Sequence, residues 1–240
     1  VLFRSGEAMA EAYTGPTQLM IGGEWVDGVK GQTIDVLNPY DASKITAIAE
    51  ATAEDVDRAV AAAKAAFPAW AKMAAHDRGA LMLKLADAIE ARTDEFVALE
   101  ALDTGHPVMD ARRLDVPRTV LCFRYFGGMA DKLQGDVLPV DAGFLNYVKR
   151  EPIGVVGHIV PWNFPLMFTS WKLGPSLAAG NTVVMKPSEL TPLSTLRIAE
   201  LALEVGFPPG VLNVVPGYGH TAGARDRKST RLNSSHQIIS

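Results

Sequence analysis

The fold is decided by the stretch from Ile153 to Gly219, which reads IGVVGHIVPWNFPLMFTSWKLGPSLAAGNTVVMKPSELTPLSTLRIAELALEVGFPPGVLNVVPGYG. Three short runs rich in Val and Ile alternate there with two apolar stretches that are long enough for helices. The runs are residues 153–160, 181–185 and 211–215, and the helical stretches are residues 166–179 and 192–205. Strands that alternate with helices of this length pair in parallel through right-handed crossovers. The sequence therefore predicts an α/β fold with a doubly wound parallel sheet.

Each predicted strand ends in a loop that carries polar or glycine residues. We name Pro161–Pro165 (PWNFP) the first loop, Lys186–Glu189 (KPSE) the second loop and Pro216–Gly219 (PGYG) the third loop. Ligands of doubly wound sheets bind outside the carboxyl ends of the strands. These three loops are therefore the candidate site.

The second loop gives the clearest signal of the three. Lys186 and Glu189 flank a proline-fixed turn, so an ammonium and a carboxylate can converge on one small polar ligand. A carboxylate suits the two hydroxyls of a ribose and repels a 2′-phosphate. The alternative is an ordinary surface Lys–Glu pair, which is worth about 0–1 kcal/mol.

The first and third loops give weaker signals, because each has a structural interpretation beside the functional one. Gly217-x-Gly219-x-x-Ala222 follows a predicted strand directly, which is the context of a dinucleotide-binding turn. No acidic residue lies at the usual distance of about 20 residues downstream, so a plain tight turn is the stronger interpretation. For Asn163 in the first loop, the alternative is that most loop asparagines hydrogen-bond their own backbone. The residues alone favour nucleotide binding and leave the chemistry open.

The chain before residue 136 is predicted to be mostly helical. The predicted helices begin near residues 54, 77, 94 and 110. The first, of about four turns, follows a capping box formed by Thr52 and Asp55. The third ends at Gly105, as a C-terminal glycine would end it. The fourth contains Pro117, so we expect a kink or a break there.

Two shorter segments are predicted to be β-structure. Residues Leu19–Leu37 read as short strands punctuated by Gly22–Gly23 and by Gly28, which predicts a hairpin. Residues 137–150 alternate as strand, turn and strand, which predicts a protruding ribbon that is too small to be stable alone. The ribbon therefore needs something to lie against.

Composition excludes several classes of protein. The 240 residues are 48% hydrophobic and 21% charged, which is the balance of a globular protein and excludes disorder, coiled coil and collagen. With 23 Lys and Arg against 27 Asp and Glu, and with prolines in the longest uncharged stretch, neither nucleic acid nor a membrane is an expected partner. Cys122 is the single cysteine and the five histidines lack ligand spacings, so we expect no disulfide and no metal. The expected compartment is reducing and cytoplasmic.

The two ends of the chain differ from the rest. Residues 225–240 have no apolar period and carry four of the 23 basic residues. We expect residues 1–8 and 225–240 to be foreign or disordered, with Met9 as the natural start and an end in mid-domain near Ala224. A natural disordered tail is the alternative.

Three segments carry a resemblance to a known family. They are EPIGVVGHIVPWNFPL (Glu151–Leu166), WKLGPSLAAGNTVVMKPSELTPL (Trp171–Leu193) and GFPPGVLNVVPGYG (Gly206–Gly219). Together they resemble the N-terminal half of the NAD(P)-dependent aldehyde dehydrogenase superfamily, and the likeness covers about residues 19–224. It implies an incomplete Rossmann-like NAD-binding domain at residues 9–136 and 151–224, with N-terminal helices. The ribbon at 137–150 resembles the family's oligomerisation arm, which implies a homodimer or homotetramer.

The resemblance also implies a reaction, in which an aldehyde is oxidised to a carboxylic acid with NAD, or NADP, as hydride acceptor. A cysteine thiolate is the implied nucleophile. The catalytic candidates are Asn163, which matches the amide donor to the oxyanion, and Lys186, which matches a lysine that hydrogen-bonds the cofactor ribose. Glu189 matches the acid that holds the adenosine ribose, which favours NAD. The implied cofactor-binding residues are Ile159, Val160, Pro161, Trp162, Asn163, Lys186, Ser188, Glu189 and Gly219.

The sequence departs from the family pattern in one respect. The nucleophilic cysteine, the general-base glutamate and the Gly-rich phosphate turn have no match in it. Cys122 lies between Leu121 and Phe123 in a helical stretch, does not match the nucleophile's motif, and is expected to pack as a small hydrophobe. The chain by itself is therefore expected to be an inactive part of an oxidoreductase. The alternative is a non-catalytic nucleotide-binding or assembly protein.

Overall fold

The computed structural model describes residues 13–224, which contain nine strands, seven helices and two π-helical segments. The strands are β1 (Leu19–Ile21), β2 (Glu24–Val26), β3 (Thr33–Leu37), β4 (Lys44–Ala49), β5 (Val137–Leu138), β6 (Asn146–Tyr147), β7 (Val155–Ile159), β8 (Thr182–Lys186) and β9 (Leu212–Val214). The helices are α1 (Ala53–Lys72), α2 (Ala75–Ala91), α3 (Thr93–Thr104), α4 (Val108–Asp110), α5 (Val116–Met129), α6 (Pro165–Ala178) and α7 (Leu193–Glu204). The π-helical segments are Ala111–Asp115 and Gly219–Gly223. The ends predicted to be foreign or disordered, residues 1–8 and 225–240, lie outside the described residues.

A five-stranded sheet in the order β2-β1-β9-β8-β7 forms the centre of the fold. Strands β7, β8 and β9 run parallel and are joined by α6 and α7, which confirms the predicted alternation of strands and helices. The register pairs Ile159 with Lys186, so β7 and β8 end at the same edge of the sheet. This edge is where the first and second loops begin.

Alternate side chains of β8 show that helices cover both faces of the sheet. Val183 and Met185 belong to a large core that includes residues of α6 and α7. Val184 belongs to a smaller core on the other face, together with Val56 of α1. The Thr182 hydroxyl also donates to a main-chain carbonyl of α1 at 3.0 Å. Helix α1 therefore completes the doubly wound arrangement from the N-terminal part of the chain.

The predicted hairpin is present, with its turn at Gly22–Gly23, and it extends the parallel sheet with two antiparallel strands. Both glycines have positive φ, 66° and 87°, as a two-residue hairpin turn with the favoured twist requires. Strand β1 pairs antiparallel with β2 on one side and with β9 on the other. The Gly22 N–H donates to the Asn213 side-chain oxygen at 2.8 Å, which fixes the hairpin to β9.

Helix α1 begins at the predicted capping box. The Thr52 N–H donates to Asp55 Oδ2 at 2.9 Å, and the buried Asp55 carboxylate also accepts the Val29 N–H at 3.1 Å. The helix has 20 residues and is longer than the predicted four turns, because it continues past Pro68 and buries Trp70 in its last turn. No helix within residues 13–224 is both long and apolar enough to cross a bilayer.

The helical stretch that contains Pro117 is not broken there but changes from π-helix to α-helix just before it. A helical turn, the π-helical segment Ala111–Asp115 and α5 follow one another without a loop, and Pro117 lies in the first turn of α5. Proline removes one main-chain donor from this continuous helical stretch, and the change from π-helical to α-helical hydrogen bonding lies directly before it.

The predicted ribbon is formed by β5 and β6 and protrudes from the rest of the fold. Val137 pairs with Tyr147, and Leu138 pairs with Asn146. Every residue from 131 to 150 is exposed, including Phe144 at 80%. Apolar side chains exposed together in this way are typical of a surface that contacts a partner.

Candidate functional site

The three predicted loops lie side by side at the carboxyl edge of β7, β8 and β9. The Val160 N–H donates to the Lys186 carbonyl at 3.1 Å, and the Val215 N–H donates to the Met185 carbonyl at 2.9 Å. These bonds continue the sheet pattern beyond the last residues of β7 and β9. The three loops therefore leave the sheet next to one another.

The second loop contains a largely buried ion pair. The Lys186 ammonium donates to Glu189 Oε2 at 3.2 Å and to the Pro187 carbonyl at 3.0 Å. The Lys186 side chain is 7% exposed and the Glu189 side chain 29%, so this is not the ordinary surface pair that the sequence left open. Among residues 13–224, nothing hydrogen-bonds Glu189 Oε1. This oxygen can accept hydrogen bonds from a ligand.

The Asn163 side chain has no hydrogen-bond partner among residues 13–224. The bond to its own backbone that is common for loop asparagines is therefore not formed. Asn163 is half-buried, and the ring of the next residue, Phe164, lies 4.9 Å from the His106 ring. The first loop thus presents a neutral amide donor that the described protein does not use.

Apolar side chains of the first loop and of β7 flank this amide. Ile159 is 52% exposed and Trp162 is 58% exposed, and Pro161 is exposed between them in sequence. Val160 is only 2% exposed and its N–H is bound to the Lys186 carbonyl, so it has little surface to offer a ligand. Three of these four predicted wall residues are therefore accessible to a ligand.

Ser188 supports the second loop from inside. Its hydroxyl oxygen accepts the Leu190 N–H at 3.2 Å, and its carbonyl accepts the Thr191 N–H at 3.3 Å. The residue is 9% exposed. Ser188 therefore fixes the turn and has little surface left for direct ligand contact.

The π-helical segment that begins at the end of the third loop packs beside Lys186. Gly219 begins the π-helical segment, and a Cβ on Gly223 in that segment would lie 3.6 Å from Lys186 Cδ. A small open pocket lies between the segment and the sheet. Apolar or small residues form its walls together with Lys186: Val56, Gly157, Ile159, Val184, Val215 and Ala222. His158 and Gly223 complete the lining, so the pocket places apolar surface and one imidazole beside the Lys186 ammonium.

A buried acidic cluster lies behind the loops and was not predicted from the sequence. Asp103 Oδ2 accepts the N–H of Leu193, the first residue of α7, at 2.9 Å. His106 Nδ1 lies 2.7 Å from Asp115 Oδ2, and ligand-type atoms of Glu100, His106 and Asp115 all lie within 4.8 Å of one another. Burial raises the pKa of Asp103 to about 8 and holds the pKa of Glu100 well above its usual value. The one signal of this cluster in the sequence is the spacing of Glu100 and Asp103, which lie three residues apart on the apolar face of α3.

Cys122 lies in α5 and packs as predicted. It is half-buried, and its Sγ would lie 3.4 Å from a Cβ on Gly174 of α6. Burial raises the pKa of its thiol, so less of it is thiolate at neutral pH.

Comparisons with known protein families and with individual proteins all identify aldehyde dehydrogenases as similar to this chain. The model described as "Aldehyde dehydrogenase family" matches residues 25–232. The mitochondrial aldehyde dehydrogenase of Sus scrofa is 50% identical over 210 residues, which are 86% of this chain and 40% of the relative. An aldehyde dehydrogenase of Alternaria alternata is 50% identical over 210 residues, which are 87% of this chain and 42% of the relative. The chain thus spans about two fifths of the length of these relatives.

Comparison with solved structures also finds an aldehyde dehydrogenase. A putative aldehyde dehydrogenase from Burkholderia cenocepacia is 72% identical with a TM-score of 0.87, and the match covers 88% of this chain and 43% of that one. PnpE, solved in complex with nicotinamide adenine dinucleotide, is 70% identical with a TM-score of 0.86, over 87% of this chain and 43% of that one.

Proposed function

The chain belongs to the aldehyde dehydrogenase family, and on this premise we propose that it works as part of an NAD-dependent enzyme that oxidises an aldehyde to a carboxylic acid. Because it spans 40% of the length of its Sus scrofa relative, we assign the activity to a full-length enzyme that includes this chain. The chain would supply the cofactor-binding loops and the Asn163 amide. The remainder would supply the thiolate and the general base, since Cys122 is the only cysteine here and burial raises its pKa.

The observation that carries the proposal is the Lys186–Glu189 pair at the carboxyl end of β8. Glu189 Oε1 is available to accept hydrogen bonds from the hydroxyls of the adenosine ribose. An ammonium has three donors, and Lys186 uses two of them within the loop, which leaves one for a ribose oxygen. NAD would supply the hydride acceptor when bound. The negative charge of Glu189 disfavours the 2′-phosphate of NADP.

Asn163 is the proposed donor to the oxyanion that forms when the nucleophile attacks the aldehyde. Its amide is half-buried and is not used within residues 13–224, so no hydrogen bond of the described protein has to break when it serves a ligand. One donor placed where negative charge develops contributes about 2.7–4 kcal/mol to lowering the barrier. The exposed apolar side chains of Ile159 and Trp162 would exclude water from the same region.

We also propose that the ribbon lies against a second copy of the enzyme in a homodimer or homotetramer. Its exposed apolar side chains, such as Val137 at 73% and Phe144 at 80%, support this role. The cytoplasmic location stays a proposal that rests on the single cysteine. The Sus scrofa relative, by contrast, is named as a mitochondrial protein.

Calorimetric titration of NAD into the full-length enzyme and into the 240-residue chain tests the function. We expect saturable binding and aldehyde-dependent NADH formation by the full-length enzyme. The 240-residue chain should bind weakly, because β7 pairs only with β8 among the described strands and its edge is partly exposed. A full-length enzyme that binds no NAD would refute the proposal. Tight binding by the 240-residue chain without turnover by the full-length enzyme would favour the non-catalytic alternative.

A further inference from the structure

A side-chain hydrogen bond joins the first loop to the residues just after the second loop. The Thr191 hydroxyl donates to the Trp162 carbonyl at 2.9 Å, and Thr191 is only 4% exposed. Water therefore competes poorly for this hydroxyl. The bond connects two segments that are 29 residues apart in sequence.

The Trp162 carbonyl bears directly on the position of Asn163. That carbonyl and the Asn163 N–H belong to one planar peptide unit. A bond that fixes the carbonyl oxygen also fixes the plane, and with it the Cα from which the Asn163 side chain projects. Since that side chain has no hydrogen bond of its own within residues 13–224, its position depends on the main chain.

Thr191 also closes the turn that carries Glu189. Its N–H donates to the Ser188 carbonyl at 3.3 Å, and the Leu190 N–H donates to the Ser188 hydroxyl oxygen at 3.2 Å. One residue therefore contacts both loops: the hydroxyl of Thr191 binds the first loop and its amide binds the second.

The segment that holds Thr191 is anchored to the core. Two residues further on, the Leu193 N–H donates to Asp103 Oδ2 of α3 at 2.9 Å, and Asp103 is 2% exposed. Thr191 therefore has a fixed position from which its hydroxyl can hold the first loop.

We propose that Thr191 is a positioning residue that couples the Glu189 carboxylate to the Asn163 amide. The inference rests on the proposed function, in which Glu189 binds the cofactor ribose and Asn163 binds the oxyanion. Without the hydroxyl, the Trp162–Asn163 peptide is released, whereas main-chain bonds still close the turn of Glu189. The rate of oxidation should therefore fall more than the affinity for NAD.

Thr191→Val in the full-length enzyme keeps the shape of the side chain and removes the hydroxyl. We expect kcat to fall about fivefold to tenfold, which corresponds to the loss of one sheltered hydrogen bond. The Kd for NAD should change by less than about twofold, because the bonds of Ser188 and Asp103 remain. Thr191→Ser restores the hydroxyl and should return kcat to within about twofold of the wild type.

Thr195→Val is the matched control. The Thr195 and Thr169 hydroxyl oxygens lie 2.7 Å apart, and both residues are fully or almost fully buried. This bond joins α7 to α6 and touches neither loop. Thr195→Val should lower the Tm and leave kcat unchanged. An equal fall of kcat in both variants would show that the loss of any buried threonine hydroxyl in this region has the same effect, and it would overturn the proposal.

A double-mutant cycle with Asn163→Ala separates positioning from a general structural role. If Thr191 acts through Asn163, Thr191→Val should not lower kcat further once the amide is absent. Additive losses, or an unchanged kcat in Thr191→Val, would overturn the inference. If Thr191→Val does not fold, Thr191→Ala enters the same cycle. A wild-type enzyme that binds no NAD refutes the proposed function and this inference together, whereas an active enzyme indifferent to Thr191 refutes the inference alone.

Discussion

Replacing Glu189 by Gln tests how the enzyme selects its cofactor. Gln has the same size and keeps one oxygen that can accept a hydrogen bond from a ribose hydroxyl, but it removes the negative charge. Lys186 would lose its carboxylate partner and keep the Pro187 carbonyl at 3.0 Å. A 2′-phosphate would then meet a cation in place of an ion pair. The preference for NAD over NADP should therefore narrow.

The size of this change follows from the burial of Glu189 and Lys186. Two unit charges about 4 Å apart interact by about 1 kcal/mol in water and about 4 kcal/mol near a protein surface. Glu189 is 29% exposed, and the Lys186 ammonium at 3.2 Å offsets part of its charge, so the lower part of that range applies. A difference of about 1.4 kcal/mol is tenfold in an equilibrium constant. We therefore expect the ratio of the two Kd values to narrow about tenfold.

Calorimetric titration of NAD and NADP into the wild-type and variant full-length enzymes measures this ratio. Glu204→Gln is the matched control, because it removes the same charge from the end of α7, where Glu204 pairs with Arg92 at 2.8 Å. The control should keep the wild-type ratio. If Glu189→Gln also kept it, the carboxylate would not lie at the ribose, and if both variants changed it equally, the cause would be net charge.

Three further predictions concern single positions. Asn163→Ala should lower kcat about 100-fold with no change in the Kd for NAD, since it removes one oxyanion donor; steady-state kinetics and calorimetry check this, and an unchanged kcat would remove that role. Burial raises the pKa of Asp103 to about 8, so the folded protein keeps a proton that the unfolded chain releases near pH 4. The free energy of unfolding should therefore fall as the pH rises from about 4 to 8, and Asp103→Asn, which does not titrate, should flatten this slope in urea unfolding, leaving the part due to Glu100. Phe144→Asp together with Leu145→Asp should shift the full-length enzyme to a smaller species in sedimentation velocity, and an unchanged species would exclude the ribbon from the interface.

Local signals in the sequence predicted most of the helices and the parallel strands. The capping box of α1 and the glycine after α3, Gly105 with a φ of 77°, both act through neighbouring residues. Strand β4 was not predicted. Its buried isoleucines, Ile45 and Ile48, break the alternation expected of a strand, and the β3–β4 register shifts between Val36 and Leu37.

The loops of the site were predictable because each follows a strand of a parallel sheet. The residues that hold the loops were not predictable, because their bonds join distant parts of the chain. Asp103 and Leu193 are 90 residues apart, and Thr191 and Trp162 are 29 residues apart. Neither pair leaves a period or a spacing that can be read from a single sequence. Contacts of this kind become visible only once the crossover helices are packed.

The buried Asp103 is explained by the helix end that it serves. A carboxyl group in the core is unfavourable when charged, and an apolar residue of similar volume is often as good or better for stability. An apolar residue, however, cannot accept the N–H of Leu193, which has no partner within α7 because it belongs to the first turn. The first residue of α7 lies four residues after Glu189, so the place where α7 begins also limits where the second loop can lie. Asp103 thus lowers the stability of the core but fixes the start of α7, which limits the position of the Lys186–Glu189 pair. The chemistry proposed for this chain depends on that position.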